Sequence, residues 1–492
     1  MPIIGDALAT LALALLLFAG WLTWRSPFLG LGVLVGGMAF HNFLIMVLLR
    51  LGTNHVLVRI VQSWKEGILA LLIIVAALRL FRAYREGRLG RPIALDWVAG
   101  IFLLITVVYF ILPSSILHGS ANFQQRVAAF RLAAYLPLLY ALGRTFHKPT
   151  RHDLENAAWI VVIAGAIVGI FGLIELWFVP TKTWLDWGVN DFSTWLGFQY
   201  GGPGHLPENF FQTLPSGLYL RRMASTYLSP LGVAYTGLVV FPIAVVLVDR
   251  QPRRTPKAFV ASFAFMFLVV GIFFSITRLA MFAFACEGIL LALILRRRWV
   301  AIMAPLLAIG VFAVLLVYPE VGPTVDENLV AGGPQRGTII RTGDPSFLEH
   351  IRTLNADFKV WARHPLGEGL GSAGTSANRF VVDPKNNPDY APGESAVLTT
   401  FVDTGVFGGL AYLAFYVLGL VWSGRALLRL RGSMESALPM AAMVGGLALI
   451  PITLTSDLWG DLSVLFLFWW AVGYSASWAE GPGPAEPEAA PT

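Results

Sequence analysis

Residues 258–295 read AFVASFAFMFLVVGIFFSITRLAMFAFACEGILLALIL. This stretch contains only two charged side chains, Arg278 and Glu287. Apolar runs of about 18 residues or more are long enough to cross a bilayer as helices, and the break around 275–278 leaves room only for a turn. The stretch therefore predicts two consecutive membrane-spanning helices, at 258–276 and 278–295, with Arg278 at the turn between them.

The rest of the chain has the same character. Of its 492 residues, 56% are hydrophobic and 13% are charged, whereas soluble proteins carry about 25% charged residues. This composition excludes a soluble enzyme. The net charge of +6 does not indicate nucleic-acid binding, because the basic residues lie in short runs between apolar segments. The single cysteine, Cys286, excludes a disulfide framework within the chain.

Thirteen apolar stretches predict an all-α polytopic membrane protein with about 12–13 transmembrane helices and a large, partly helical extracytoplasmic loop. The first is interpreted as a span or a membrane-embedded segment, and the one at 127–143 is the weakest because it carries Arg131 and Pro137. The stretches lie at 7–24, 28–49, 59–80, 94–112, 127–143, 157–179, 226–248, 258–276, 278–295, 299–318, 396–422, 437–455 and 462–478.

Four regions follow from this pattern. Residues 1–220 hold N-terminal transmembrane helices and a first outer loop, and 221–425 form a central core that includes a second outer loop at 319–395. Residues 426–480 hold the C-terminal transmembrane helices. Residues 481–492 read GPGPAEPEAAPT, a proline-rich polar composition that predicts a disordered cytoplasmic tail.

The short loops predict the orientation. One alternating set holds eighteen lysine and arginine residues, and the opposite set holds only Arg50, Arg59, Arg126 and Arg278. Because cytoplasmic loops are enriched in basic residues, the first set is predicted to be cytoplasmic. Both long connections, 180–225 and 319–395, then lie on the outer side of the membrane.

Charged residues in or beside spans are costly and are functional candidates by default. Six of them are predicted near the outer ends of five spans: Lys65, Glu66, Glu175, Arg222, Arg278 and Glu394. The alternatives are ordinary: Lys65 and Arg222 can snorkel to the interface, and Glu394 can act as a favourable charge at a helix N-terminus. Lys65 and Glu66, adjacent in sequence, do not share a helix face and are not expected to pair. Of these six residues, Arg278 is the hardest to explain as a side chain that only anchors the protein at the membrane interface.

The second outer loop contains one amphipathic pattern. Phe347, Ile351, Leu354, Phe358 and Trp361 share one helical face. Asp344-Pro345 is a helix start signal and His364-Pro365 a stop signal. The predicted helix lies on the membrane surface or packs over the outer mouth of the bundle; it can equally do no more than cover span ends.

Four segments in this order resemble the O-antigen ligase and polymerase family of bacterial envelope glycosyltransferases. Arg222-Met223-Ala224-Ser225-Thr226-Tyr227, followed by Ser229-Pro230, resembles the segment that opens a central span in that family. Ser275-Ile276-Thr277-Arg278 resembles its S-x-x-R turn. The other two are Trp361-Ala362-Arg363-His364-Pro365 with Gly367-Glu368-Gly369-Leu370-Gly371, and Glu394-Ser395 with Leu398 and Gly405-Val406-Phe407-Gly408. The resemblance covers roughly 220–425.

This resemblance implies transfer of a glycan from undecaprenyl pyrophosphate to a sugar hydroxyl at the outer face of the bacterial inner membrane. Arg222 and Arg278 would hold the pyrophosphate, and Glu394 would activate the acceptor hydroxyl. Ligases usually have histidine where this chain has Glu394, which favours a polymerase of O-antigen or exopolysaccharide repeats. Further candidate substrate-binding residues are Arg221, Lys65, Arg352, His364, Gly369 and Gly371.

The expected transfer is inverting and independent of metals and cofactors, since two arginines can stabilise a pyrophosphate leaving group. The expected partners are the lipid bilayer, the lipid-linked glycan donor, a glycan or lipid-linked acceptor and other polysaccharide export proteins, with no nucleic acid. Two alternatives stay open. One is an O-antigen ligase that acts on lipid A-core or another acceptor, and the other is a transporter or flippase of lipid-linked glycans.

Overall fold

The computed structural model describes residues 2–88, 90–214, 219–325, 345–377 and 391–479. Twelve helices in this part of the chain are long and apolar enough to cross a membrane, which confirms an all-α polytopic membrane protein. In chain order, the longer helices are α1 (Pro2–Arg25), α2 (Pro27–Arg50), α3 (His55–Gln62), α4 (Trp64–Arg85), α5 (Ala94–Ile111), α6 (Phe123–Thr145), α7 (Arg151–Phe178), α8 (Pro230–Arg250), α9 (Pro256–Phe274), α10 (Arg278–Leu295), α11 (Arg298–Val321), α12 (Pro345–Arg363), α13 (Ala396–Leu430), α14 (Met434–Thr455) and α15 (Leu462–Ala479).

The connections hold short elements. Two strands, β1 (Phe211–Thr213) and β2 (Tyr219–Arg221), pair antiparallel with Phe211 opposite Arg221. The short helical turns are Ser114–Leu117, Thr183–Asp186, Val189–Trp195, Pro203–His205, Glu208–Phe210, Ser225–Tyr227, Gly374–Ala377 and Leu458–Gly460.

Each of the thirteen predicted apolar stretches forms a helix. The weakest prediction, 127–143, corresponds to α6, which is not among the twelve candidate spans. α8 begins at Pro230, four residues after the predicted start, because Ser229 caps it: the Ser229 hydroxyl accepts a hydrogen bond from Gly232 N at 3.2 Å. α1 packs along α2, and Asp6 near its start accepts a hydrogen bond from Asn54 N at 3.0 Å. The N-terminus of α1 therefore lies at the same end of the bundle as the α2–α3 connection.

The two long connections meet at one end of the bundle, which we call the long-loop face and define by the described residues 180–214, 219–229, 319–325, 345–377 and 391–395. Arg221 N donates to Pro323 O at 2.9 Å, and Val325 N donates to Tyr219 O at 3.2 Å. β2 of the first connection therefore contacts the beginning of the second. The predicted placement of both long connections on the same side is confirmed by these bonds.

The helix α6, which is not among the twelve candidate spans, is held in the bundle by close packing against α15. A Cβ added at Gly473 would lie 1.9 Å from Tyr140 O, and one added at Gly143 would lie 2.1 Å from Trp470 O. These glycines let the two backbones approach closely, as small residues do between membrane helices. α15 itself is central, since 89% of it is buried, against 22% of α1.

α13 contains a kink that positions the second outer loop. Gly405 has φ 64° and ψ −169°, and Val406 N donates to Pro365 O at 2.9 Å. A Cβ at Gly405 would lie 2.4 Å from Leu366 O. The chain after α12 therefore lies against the backbone of α13 at this kink.

We expect Gly405→Ala to lower the free energy of unfolding by at least about 1–3 kcal/mol, because alanine is strained at this φ and its methyl group meets backbone atoms. The measurement is thermal unfolding of the purified protein in detergent. Gly100→Ala in α5 is the matched control, because a Cβ there has nothing within 4 Å. Equal melting temperatures for the two variants would show that the kink is not required.

Candidate functional site

Arg222 is bound to the S-x-x-R turn between α9 and α10. Its Nε donates to Ser275 O at 2.9 Å, and its Nη2 donates to Thr277 Oγ1 at 2.8 Å. Ile276, in the middle of the turn, has φ 49°, a conformation that is unusual for a β-branched residue. The turn is thus strained locally and is held from outside by an arginine.

This arrangement places two guanidinium groups close together. Burial lowers the pKa of Arg222 to about 10, and the positive charge of Arg278 contributes to that shift. The acceptors of the two Arg222 hydrogen bonds are neutral oxygens, so these bonds do not neutralise its charge. Two neighbouring arginines at a helix N-terminus form a strongly positive site, where an anion is stabilised by both charges and by the helix dipole.

The segment that carries Arg222 is anchored to two transmembrane helices. Ser225 Oγ donates to Val168 O of α7 at 2.7 Å, and Thr226 Oγ1 donates to Ala39 O of α2 at 2.6 Å. Asn42 Nδ2 of α2 donates to Tyr227 O at 2.9 Å. Arg222 is therefore positioned by packed helices rather than by a free loop.

Tyr235 in α8 connects the arginines to Glu394. Its side chain hydrogen-bonds Ser456 and interacts electrostatically with Arg222, Glu394 and Asp461. Ser456 O in turn accepts a hydrogen bond from Ala396 N at 3.0 Å, which fixes the start of α13 beside this group. Arg222 and Glu394 therefore both lie near Tyr235 on the long-loop face, and Arg278 lies beside Arg222.

Glu394 lies just before α13 and contacts α12. His350 Nδ1 lies 2.7 Å from Glu394 Oε2, and Thr353 Oγ1 donates to the same oxygen at 3.1 Å. Burial alone would raise the pKa of Glu394, but the hydrogen bonds and the imidazole outweigh it, so the pKa lies below the ordinary glutamate value. Glu394 is 39% exposed, so the carboxylate is both held and accessible.

A third side chain of α12 holds the backbone at this position. Asp357 Oδ1 accepts a hydrogen bond from Gly393 N at 2.9 Å, and the backbone of Glu394 also bonds to this carboxyl. Gly393 has φ 65°, a conformation that glycine adopts without strain. Burial raises the pKa of Asp357 to about 7. His350, Thr353 and Asp357 follow 3, 4 spacing, so one face of α12 binds both the side chain and the backbone of Glu394.

The predicted amphipathic helix is confirmed as α12, but its contact face differs from the apolar stripe. Ile351 and Phe358 of the stripe are 49% and 51% exposed. Trp361 packs against Phe401 of α13, with ring centroids 5.3 Å apart, so part of the stripe packs on the bundle. The polar residues described above face Glu394.

The glycine-rich segment is used inside the protein. Gly369 N donates to Asp403 O at 3.1 Å, and Gly371 N donates to Asp403 Oδ2 at 3.1 Å. Ser372 N and Ala373 N both donate to Asp403 Oδ1, at 3.0 and 3.1 Å. In this structure the backbone N–H groups of Gly369 and Gly371, two candidate substrate-binding residues, therefore donate to the backbone and the side chain of Asp403.

Arg221 and Lys65 also have protein partners. Arg221 Nη2 donates to Glu175 Oε1 at 2.9 Å, and both side chains are buried. Lys65 Nζ donates to Gln62 O at 2.9 Å and lies 3.5 Å from Glu66 Oε2; the expectation that Lys65 and Glu66 do not pair was wrong, since the flexible lysine reaches its neighbour. Arg221 and Lys65 are both predicted to bind substrate, and in this structure both side chains form contacts within the protein.

Arg352 and His364 lie about 18 Å apart along the axis of α12. Arg352 lies on the exposed side of this helix. His364 follows the last residue of α12, about 21 Å along the helix axis from His350, where it packs beside His118 with ring centroids 5.6 Å apart. The structure does not bring His364 to the Glu394 site.

Sequence reasoning missed the contacts that complete the site. It gave His350 no role and did not single out Asp357, Asp403 or Tyr235. In the described part of the chain, no three histidine, cysteine, aspartate or glutamate side chains are placed to hold a metal ion. The metal independence of the reaction remains a prediction.

Residues 261–413 match a family model described as O-Antigen ligase. This segment runs from α9 into α13 and contains Arg278, His350 and Glu394, whereas Arg222 precedes it. A search of curated proteins finds no match. The match confirms, over residues 261–413, the predicted resemblance to the O-antigen ligase and polymerase family of membrane glycosyltransferases.

Proposed function

We propose that this protein transfers a glycan from undecaprenyl pyrophosphate to a sugar hydroxyl, as a polymerase of O-antigen or exopolysaccharide repeats. The observation that carries the proposal is the juxtaposition of Arg222 and Arg278, linked through Tyr235 to Glu394 on the same face of the bundle. A sugar pyrophosphate is an activated donor, so the enzyme mainly has to stabilise the leaving group and accept a proton.

Arg222 and Arg278 bind the pyrophosphate in this proposal. A guanidinium remains charged and donates paired hydrogen bonds to phosphate oxygens. As the bond between the anomeric carbon and the pyrophosphate breaks, negative charge grows on the leaving oxygen, and charges already fixed in place stabilise it without reorganisation. Arg221 and Lys65 have a structural role in this proposal, because their contacts within the protein hold neighbouring elements in place.

The acceptor hydroxyl reacts at the Glu394 end of the site. Its oxygen forms the new bond to the anomeric carbon, and its proton passes to a base at the Glu394 end of the site. Undecaprenyl pyrophosphate leaves with the electron pair of the broken bond. Attack opposite to the leaving group inverts the anomeric configuration. No step requires an oxidant, reductant or cofactor.

Two other functions compete with this one. An O-antigen ligase would use the same donor site with lipid A-core or another acceptor; Glu394 in the position where ligases usually have histidine favours the polymerase. A transporter or flippase would line a path at the membrane midplane with polar groups, whereas Arg222, Arg278 and Glu394 all lie at one end of the bundle.

Purified protein incubated with an undecaprenyl-pyrophosphate-linked repeat unit separates these functions. Chain elongation supports the polymerase, and transfer only when lipid A-core is added supports the ligase. Recovery of the substrate without any covalent change would contradict both enzymes and favour transport. A deletion strain gives an independent test: loss of the polymer ladder to single repeats indicates a polymerase, and accumulation of long lipid-linked chains indicates a ligase.

The long-loop face is proposed to be extracytoplasmic in the bacterial inner membrane, which the positive-inside bias supports. We expect a membrane-impermeant maleimide to label Asn355→Cys on α12, but not Arg253→Cys at the other end of the bundle, in intact spheroplasts. Both variants are made in a Cys286→Ser background. Labelling of position 253 alone would reverse the assigned orientation.

A further inference from the structure

The Glu394 carboxylate is a weak proton acceptor in this structure. Its Oε2 already accepts hydrogen bonds from His350 and Thr353, and these bonds hold the pKa of Glu394 below its usual range. General bases are most effective when their pKa is close to the working pH. The imidazole of His350, which contacts Glu394, is the alternative proton acceptor.

His350 has the geometry of a base oriented by a carboxylate. An ionised carboxylate only accepts hydrogen bonds, so the hydrogen between His350 Nδ1 and Glu394 Oε2 belongs to the imidazole. A neutral ring then carries its lone pair on Nε2. The His350 side chain is 44% exposed, which allows a substrate to reach it.

We propose that His350 takes the proton of the acceptor hydroxyl and that Glu394 fixes the ring and stabilises the imidazolium. This inference rests on the proposed function. The acceptor O–H bond breaks, the proton moves to His350 Nε2, and the acceptor oxygen bonds to the anomeric carbon as the pyrophosphate leaves. The imidazolium later releases its proton to water. α12 of the outer loop thereby becomes part of the catalytic machinery.

Several charged groups surround this pair and would influence its pH dependence. Asp357 lies on the same face of α12 and interacts with Glu394. Tyr235 connects Glu394 to Arg222 and Asp461 across the site, and Arg352 lies on the exposed side of α12. Burial raises the pKa of both Asp357 and Asp461 to about 7, so each of them could produce a change in rate near neutral pH.

The test is the pH–rate profile of His350→Gln and His350→Ala, with the purified full-length protein and an undecaprenyl-pyrophosphate-linked repeat. We expect His350→Gln to lower turnover by about 10²–10⁴-fold while donor binding is retained. Added imidazole should restore part of the activity of His350→Ala, because the site is accessible. The wild-type rate should fall on the acid side of its pH profile, and this acid limb should persist in Asp357→Asn and Asp461→Asn.

Three outcomes would overturn the inference: turnover of His350→Gln within a few-fold of wild type, no rescue by imidazole, or an acid limb that disappears in Asp357→Asn or Asp461→Asn. If His350→Gln is active and Glu394→Gln is not, Glu394 is the base and the proposed function stands. Failure of the wild-type protein to transfer the glycan at all would instead overturn the proposed function.

Discussion

Alanine at Arg222 or Arg278 is expected to lower the rate of glycan transfer by about 10²–10³-fold, or roughly 2.7–4 kcal/mol of transition-state stabilisation, which is typical for the loss of one preorganised charge stabiliser. Lysine should restore activity only in part, because a point charge does not reproduce the paired hydrogen bonds of a guanidinium. The measurement is transfer by the purified variants, with donor affinity determined separately.

Arg222 also holds the turn through Ser275 O and Thr277 Oγ1, so Arg222→Ala should lower the melting temperature as well as the rate. The melting temperature of both alanine variants is therefore measured, so that a loss of stability is separated from a loss of charge. Arg253→Ala, at the other end of the bundle, controls for a general loss of positive charge. A folded alanine variant that transfers at the wild-type rate with normal donor affinity would show that the arginine is only an interfacial anchor.

The transmembrane helices could be predicted from composition because the bilayer imposes a minimum apolar length, and no tertiary information is needed to find such runs. The ends of α12 could also be predicted, since Pro345 and Pro365 restrict where a helix begins and ends. The face of α12 that contacts residues 393–394 could not be predicted from the sequence. Its most apolar stripe suggested the contact surface, yet Asp357 and Thr353 face the bundle because they satisfy groups at residues 393–394.

A strand geometry explains why only one of two adjacent arginines reaches the site. Successive side chains of an extended chain point to opposite faces; Arg222 directly follows β2, and its N still donates to Phe210 O at 2.8 Å. Arg221 at the end of β2 binds Glu175 of α7, and Arg222 binds the S-x-x-R turn. The sequence could not show that residues 219–221 form a strand, because the partner strand β1 is only three residues long.

The partner of the glycine-rich segment could not be predicted from that segment alone. Asp403 lies within the apolar stretch 396–422, where a carboxylate requires partners, but it was not among the charges considered. A search for groups that could satisfy Asp403 would have pointed to the backbone amides of Gly371, Ser372 and Ala373. Because these residues lie about 30 positions from Asp403 along the chain, the contact itself is seen only in the folded structure.

Glu394→Gln is expected to reduce turnover by about 10²–10⁴-fold with folding and donor binding preserved. Glutamine retains the size and most of the hydrogen-bonding capacity of glutamate, but it can neither accept a proton nor stabilise a positive charge on His350. The loss is therefore expected whether Glu394 is the base or the group that orients it. A simple charge at the N-terminus of α13 would instead contribute about 0.3–1 kcal/mol to the helix and leave turnover nearly normal.

The measurement is transfer by purified Glu394→Gln from pH 5 to 9. Because the pKa of Glu394 lies below its ordinary value, the wild-type carboxylate stays ionised across this range, and the loss should be present at every pH. Thr353→Val is the matched control: it removes one hydrogen bond to Glu394 Oε2, worth about 1 kcal/mol, but keeps the charge. Glu394→His should retain part of the activity with a shifted pH optimum. Activity of Glu394→Gln within a few-fold of wild type throughout would remove Glu394 from the reaction.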